Sequence, residues 1–249
     1  MSYFIYGSGS VRAIFLHGWF GDANSFRPIL QGIDPSRFCF AFLDSRGYGG
    51  QKDSGGPFDM ETIASDAMNL GDRLGWESFS IVGHSMGGKA ALRLATRVPH
   101  RVQRLCAITP VWASAAPFDQ ETLSFFRSAR ALVATRRAII HDTTGRRLPA
   151  YWSQNVAARS MEISEASAFS SYLESWVFDD FEEEASKLIS ETLVIVGGFD
   201  LGISEHLVRS TWLTHLKNAR LTLLPEAGHY PMDECPLILA ETISTFLGS

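Results

Sequence analysis

Ser85 lies in Gly83-His84-Ser85-Met86-Gly87-Gly88, between an apolar run and a stretch with helical spacing. A serine at such a strand-to-helix turn needs glycine on both sides, because the backbone there is crowded and strained. The turn lifts the hydroxyl above the strand ends. It also leaves the first N–H groups of the helix free to face a developing negative charge. That combination suits nucleophilic attack on a carbonyl carbon. A serine hydroxyl is a weak nucleophile at neutral pH, so a base must lie within hydrogen-bond reach, and a carboxylate must orient that base. The chain has seven histidines. His17 and His84 sit inside glycine-containing motifs, and His229 follows an apolar run in Pro225-Glu226-Ala227-Gly228-His229. Asp44 and Asp200 come directly after strand-like runs, and Asp119 lies farther beyond one.

The elements that must bring such residues together are legible as alternating patterns. Val11–Leu16, Phe38–Asp44, Phe79–Gly83, Leu105–Thr109, Leu193–Gly197 and Leu221–Leu224 are short and almost continuously apolar, which predicts strands buried on both faces. Tyr3–Tyr6 adds an edge strand. Met60–Leu74, Met86–Arg97, Leu207–Leu216 and Leu237–Leu247 carry apolar residues at helical spacing. Strand alternating with helix predicts an α/β fold with a doubly wound, mostly parallel sheet. In such sheets ligands gather at the carboxyl ends of the strands, where His229 falls. The stretch 117–188 has no strand-like run but many aromatic residues. It is expected to be a helical cap inserted into a core made of residues 1–116 and 189–249. Large apolar side chains are mostly interior, so most of its aromatics should pack the cap and a few should line a pocket. The acidic run Glu182–Glu184 is expected to be a solvated helix face.

Four motifs in one order give the chain a family resemblance: His17-Gly18-Trp19, Asp44-Ser45-Arg46-Gly47-Tyr48-Gly49, Gly83–Gly87 and Ala227-Gly228-His229. The sequence resembles the α/β-hydrolase superfamily, in its capped esterase and lipase-like branch. The resemblance covers the core, and the cap only by position. It implies a catalytic triad of Ser85, Asp200 and His229, in the order serine, acid, histidine. It gives His17 and His84 supporting roles. The second place where the family can carry its acid is occupied by Thr109-Pro110-Val111-Trp112, with no carboxylate. One departure is Leu201-Gly202-Ile203, where the family often has a proline. The resemblance also implies an oxyanion hole from the backbone N–H groups of Trp19 and Met86, leaving both side chains to shape the pocket. The expected pocket residues are Trp19, Met86, Trp112, Phe126, Trp152 and Trp176.

The implied activity is hydrolysis of a small or medium, largely apolar carboxylic ester through an acyl-enzyme, as in a carboxylesterase. Lactones, thioesters and certain C–C bonds would use the same groups. The family's C–C hydrolases usually have Asn before the nucleophile, whereas this chain has His84. A lyase branch shares a stretch like His17–Asp22, and the fold also hosts ligand-binding receptors. Family members that use an aspartate nucleophile are excluded by Ser85. No cofactor or metal is expected: Gly7-Ser8-Gly9 precedes no helix that could cradle a dinucleotide, and no HExxH spacing occurs. A 45% hydrophobic content over 249 residues is ample for a sizeable core. A net charge of −5 without a basic stripe argues against nucleic acid and anionic membrane surfaces. The amino terminus lacks the pattern of a secretory signal, and no apolar run is long enough to insert in a membrane. Cys39, Cys106 and Cys235 form no disulfide or zinc pattern. A cytoplasmic location is the resulting expectation, and oligomeric state stays open.

Overall fold

The computed structural model describes residues 1–249. Its strands are β1 (Tyr3–Tyr6), β2 (Val11–Leu16), β3 (Phe38–Leu43), β4 (Phe79–His84), β5 (Val102–Ile108), β6 (Glu191–Gly197) and β7 (Ala219–Leu224). They form one sheet in the order β1-β3-β2-β4-β5-β6-β7. β1 runs antiparallel to β3, and every other neighbouring pair is parallel. The Phe-rich strands explain the tight core. Phe15 lies 4.6 Å from Phe42 and 5.2 Å from Phe26 between ring centroids, and all three are fully buried. Helix α1 (Met60–Arg73) packs beside α2 (Met86–Arg97), which lies against β4 and β5. No helix is long and apolar enough to cross a membrane.

Several boundaries differ from the sequence expectation, each for a physical reason. β5 begins at Val102 rather than Leu105, because polar Gln103 and Arg104 occupy its exposed end. β7 begins at Ala219 because it is an edge strand with a half-buried pattern, so its apolar run understates its length. Asp44 leaves the sheet after Leu43. Its carboxylate accepts hydrogen bonds from Ser2 Oγ, Ala23 N and Gly50 N at 2.8–2.9 Å, which ties three loops together. The expected helix Leu207–Leu216 breaks at Thr211 into two short helices, Glu205–Ser210 and Trp212–His215. The Thr211 hydroxyl donates back to Leu207 O at 2.6 Å, a side-chain bond that competes with regular helix. Cys39 is half-buried rather than buried.

Between β5 and β6 the chain forms five helices: α3 (Gln120–Ser128), α4 (Val133–Thr143), α5 (Ala150–Ile163), α6 (Ala166–Phe178) and α7 (Glu182–Ala185). All three glutamates of α7 have partners, Glu183 pairing with Lys187 one turn on. Glu182 accepts from Trp112 Nε1, and Glu184 pairs with Arg93. The two ends of this insertion meet where Ala116 N–H donates to Val177 O at 2.7 Å and Phe181 N–H to Ala113 O at 3.2 Å. Lys89, on α2 and fully buried, fastens both ends. Its ammonium donates to Ser114 O at 3.1 Å, Trp176 O at 3.1 Å and Asp179 O at 2.6 Å. All three N–H donors are thereby used.

Burial pulls the Lys89 pKa down to about 8, against the opposing pull of Asp179 and Asp180. An unfolded lysine holds its proton to about 10.4. Between those values the unfolded chain binds more protons, so Lys89 makes the fold more stable as pH rises. The Tm of the wild type minus that of Lys89→Met should therefore increase from pH 7 to pH 9.5 in thermal melts. A constant gap would contradict the assigned environment.

Candidate active site

Ser85 sits at the β4–α2 turn with φ 54° and ψ −115°, a conformation that costs a non-glycine residue strain. Its neighbours show why the turn requires glycine. A Cβ at Gly83 would lie 2.1 Å from Gly87 O, and one at Gly87 would lie 2.4 Å from Leu16 O. The turn is secured by Ser85 N–H donating to Ile108 O at 2.9 Å and by Val111 N–H donating to Ser85 O at 3.2 Å. Ser85 Oγ lies 3.0 Å from His229 Nε2, and His229 Nδ1 lies 2.6 Å from Asp200 Oδ2. A buried carboxylate only accepts, so Nδ1 carries the ring proton and Nε2 is free to take the proton of the serine hydroxyl.

The Asp200 side chain is fully buried. Its second oxygen accepts from Gly202 N and Ile203 N, each at 2.9 Å. The stretch Leu201-Gly202-Ile203, where the sequence departs from the familiar proline, thus supplies the donors that a buried carboxylate needs. Of the rival carboxylates, Asp44 is committed to its loops and Asp119 caps α3 by accepting Thr122 N–H. Neither joins Ser85.

His229 is also held through its main chain. Its carbonyl accepts from His84 Nε2 at 2.8 Å and Thr109 Oγ1 at 3.1 Å. Its N–H donates to Thr143 O at 3.1 Å. Burial, then the proximity of His229, drives the His84 pKa well down, so that imidazole is neutral. His17 Nε2 accepts Ser45 N–H at 3.0 Å, and its Nδ1 donates to Gly18 O at 2.9 Å. Both histidines therefore serve the backbone. A Cβ at Gly18 would lie 3.3 Å from Ser85 Cβ, so the Gly18-Trp19 segment passes directly beside the serine. Trp19 N–H has no acceptor in the protein. Met86 N–H belongs to the first turn of α2, where helix geometry provides none.

A cavity of about 770 Å³ opens onto Ser85 and His229. Of the residues expected to shape a pocket, Trp19, Trp112, Phe126, Trp152 and Trp176 line this cavity. Met86 does not. Its side chain is buried in the core, because the first turn of α2 directs it inward rather than toward the cavity. Trp19 is fixed by its indole N–H donating to Phe169 O at 2.8 Å and by stacking on that ring at 4.1 Å. The cavity also has polar residues that hydrophobic patterning could not single out: Asn24, Arg27, Arg159 and Asp233. Arg159 is tied to Asp22 at 2.6 Å. Burial, reinforced by Glu234, raises the Asp233 pKa to about 6 while Arg159 opposes the shift. The position of Asp233 just past His229 was the one available sequence signal.

The chain spans 90% of the pimeloyl-[acyl-carrier protein] methyl ester esterase of Nitrosomonas europaea, with 90% of its own length aligned and 25% identity over 236 residues. A serine hydrolase-like protein of Mus musculus is 30% identical over 92 residues, which cover 36% of this chain and only 29% of that protein. The esterase structure from Exiguobacterium antarcticum superposes with a TM-score of 0.85 across 99% of this chain and 95% of that one, at 19% identity. That last likeness is one of fold. The family model described as alpha/beta hydrolase fold matches residues 14–236, from β2 to the start of the last helix. The serine turn, strands β3 to β7 and the histidine loop all fall inside that match, and the chain belongs to the α/β-hydrolase fold family.

Proposed function

We propose that this protein is a serine hydrolase that cleaves a largely apolar carboxylic ester of small to medium size through an acyl-enzyme on Ser85. The observation that carries the reading is the unbroken hydrogen-bonded run from Ser85 Oγ through His229 to Asp200, opening on an aromatic cavity. His229 Nε2 takes the hydroxyl proton as Ser85 Oγ attacks the carbonyl carbon. Negative charge gathers on the carbonyl oxygen, where the N–H groups of Trp19 and Met86 stabilise it. One such donor is worth about 10²–10³ in turnover. Collapse expels the alcohol, which receives the proton from His229. Water then repeats the sequence on the acyl-enzyme and releases the acid. The Asp200 carboxylate stabilises the imidazolium through its hydrogen bond to Nδ1.

In this reading residues 117–188 act as a cap on a core of residues 1–116 and 189–249, with Phe126, Trp152 and Trp176 roofing the cavity. A volume of about 770 Å³ falls within the usual range for small-molecule sites, roughly 300–1,000 Å³. The relative whose printed activity is cleavage of a methyl ester supports an ester with a small alcohol as leaving group. The polar residues Asn24, Arg27, Arg159 and Asp233 favour an acyl chain that is apolar near the serine and carries a hydrogen-bonding group farther along. Lactones and thioesters fit the same chemistry.

Ser85→Ala should lower turnover of a p-nitrophenyl ester by at least about 10⁴ and abolish fluorophosphonate labelling, with circular dichroism unchanged. Retained turnover would remove the covalent step, and a single turnover in the wild type would point to a receptor. Asp200→Asn should lower kcat by on the order of 10³–10⁴ through loss of the correct tautomer; an unaltered rate would move the acid elsewhere. Asp233 becomes charged as pH rises through about 6, beside Glu234 and Arg159. KM for an apolar ester should therefore rise between pH 5 and pH 7 in the wild type and stay flat in Asp233→Asn. Parallel profiles would take Asp233 out of substrate contact.

A further inference from the structure

Glu234 takes no part in the relay, yet its carboxylate grips the backbone on both sides of His229. Oε2 accepts Gly228 N–H at 2.8 Å and Oε1 accepts Tyr230 N–H at 3.0 Å. The Glu234 side chain is only 1% exposed, and its charge is met by Arg147. Arg147 belongs to the insertion, on the connection between α4 and α5. It also donates to Glu226 O at 3.0 Å, at the start of the His229 loop. Its guanidinium lies 4.4 Å above the ring of Phe199, the residue before Asp200.

The same connection touches the acid and base loops a second time. Thr143 O accepts His229 N–H at 3.1 Å. Gly145, at φ +65°, packs so closely on Phe199 that an added Cβ would lie 3.0 Å from Phe199 Cβ. Residues 143–147 therefore brace the loops of Asp200 and His229 together. A buried carboxylate left without its cation is strongly penalised, so the grip on residues 228 and 230 depends on Arg147 staying in place.

Resting on the proposed triad, we infer that Arg147 and Glu234 are a positioning pair through which the insertion sets the His229 imidazole and the Asp200 loop. The insertion is then a working part of the relay as well as a wall of the cavity. Substrate does not enter by lifting the α4–α5 connection, because that motion would dismantle the base. Positioning acts on the reaction step: a misplacement of about 1 Å can cost on the order of 10²-fold in rate.

The test uses the full chain and a p-nitrophenyl ester. Arg147→Met and Glu234→Gln should each lower kcat by about 10–100-fold with KM changed less than about twofold, and should slow fluorophosphonate labelling in parallel. The acid limb of the kcat profile should shift in both variants. Arg147→Lys should recover most of the rate, and the double variant should be little worse than the poorer single one, since both act through one pair. Arg137→Met, exposed on α4, is the control and should match the wild type. Unchanged kcat with normal folding would overturn the inference, as would a loss confined to KM or one that Arg147→Lys fails to rescue. If Arg147→Met does not fold, the near-isosteric Glu234→Gln decides the question alone. These outcomes stay separable from the covalent reading, which stands or falls on Ser85→Ala.

Discussion

Crowding of backbone against backbone at one turn governs the rest of this molecule. At Ser85 the chain reverses from β4 into α2 so tightly that Gly87 lies against the carbonyl of Leu16 and Gly83 against that of Gly87. No side chain fits at either position, and the serine between them is held at positive φ. The strain is tolerable because neighbours over-determine it: Ser85 N–H is bound by Ile108 O from β5, and Ser85 O is taken by Val111 N–H as the chain leaves that strand. Both partners exist only if β4 and β5 are parallel and in register at their carboxyl ends, as they are from Ile81 opposite Leu105 to His84 opposite Ile108. The sheet is therefore a precondition for the exposed hydroxyl.

Placing the partners is a long-range task, because Ser85 and His229 are separated by 144 positions in the chain. Parallel strands solve it by delivering their carboxyl ends to one edge. β6 ends at Gly197, three residues before Asp200, and β7 ends at Leu224, five before His229. The short connections then need fixing at their own polar groups. The buried Asp200 carboxylate is met by an imidazole on one oxygen and two backbone N–H groups on the other. Thr109, where a carboxylate could stand in related chains, gives its hydroxyl to His229 O instead.

How much of this was legible depends on the range of the interaction. Continuous apolarity marked β2, β3 and β4 nearly to the residue, since those strands are covered on both faces. It undercalled β7, where edge exposure leaves residues such as Arg220 and Leu223 outward. Ser85 and the glycines around it were readable because the constraint on them is local. The Met86 side chain misled: its backbone position follows from the turn, while its direction depends on the core packed around α2. Arg147 and Glu234 gave no signal at all. An arginine and a glutamate 87 positions apart become a pair only through the fold.

The insertion divides, in physical terms, into parts that are anchored and parts that are merely packed. Lys89 ties both of its ends to the helix that follows Ser85, and the α4–α5 connection is tied to the histidine loop. A third fastening runs through Arg136, which is buried without a carboxylate partner. It donates to Ala129 O, Ser160 Oγ and Ser164 Oγ and lies 3.5 Å from the centre of the Phe169 ring. Phe169 stacks in turn on Trp19. A cation over an aromatic face in a dry site is a strong, directional contact, so the wall that holds Trp19 inherits the order of α4, α5 and α6. By contrast α3 has no fully buried residue, and Phe125 on it stays exposed. Few buried contacts mean a low cost of local opening. α3, with Phe126 on the cavity, is therefore the helix of the insertion that opens at least cost, held to α6 chiefly by the exposed Arg127–Glu174 pair.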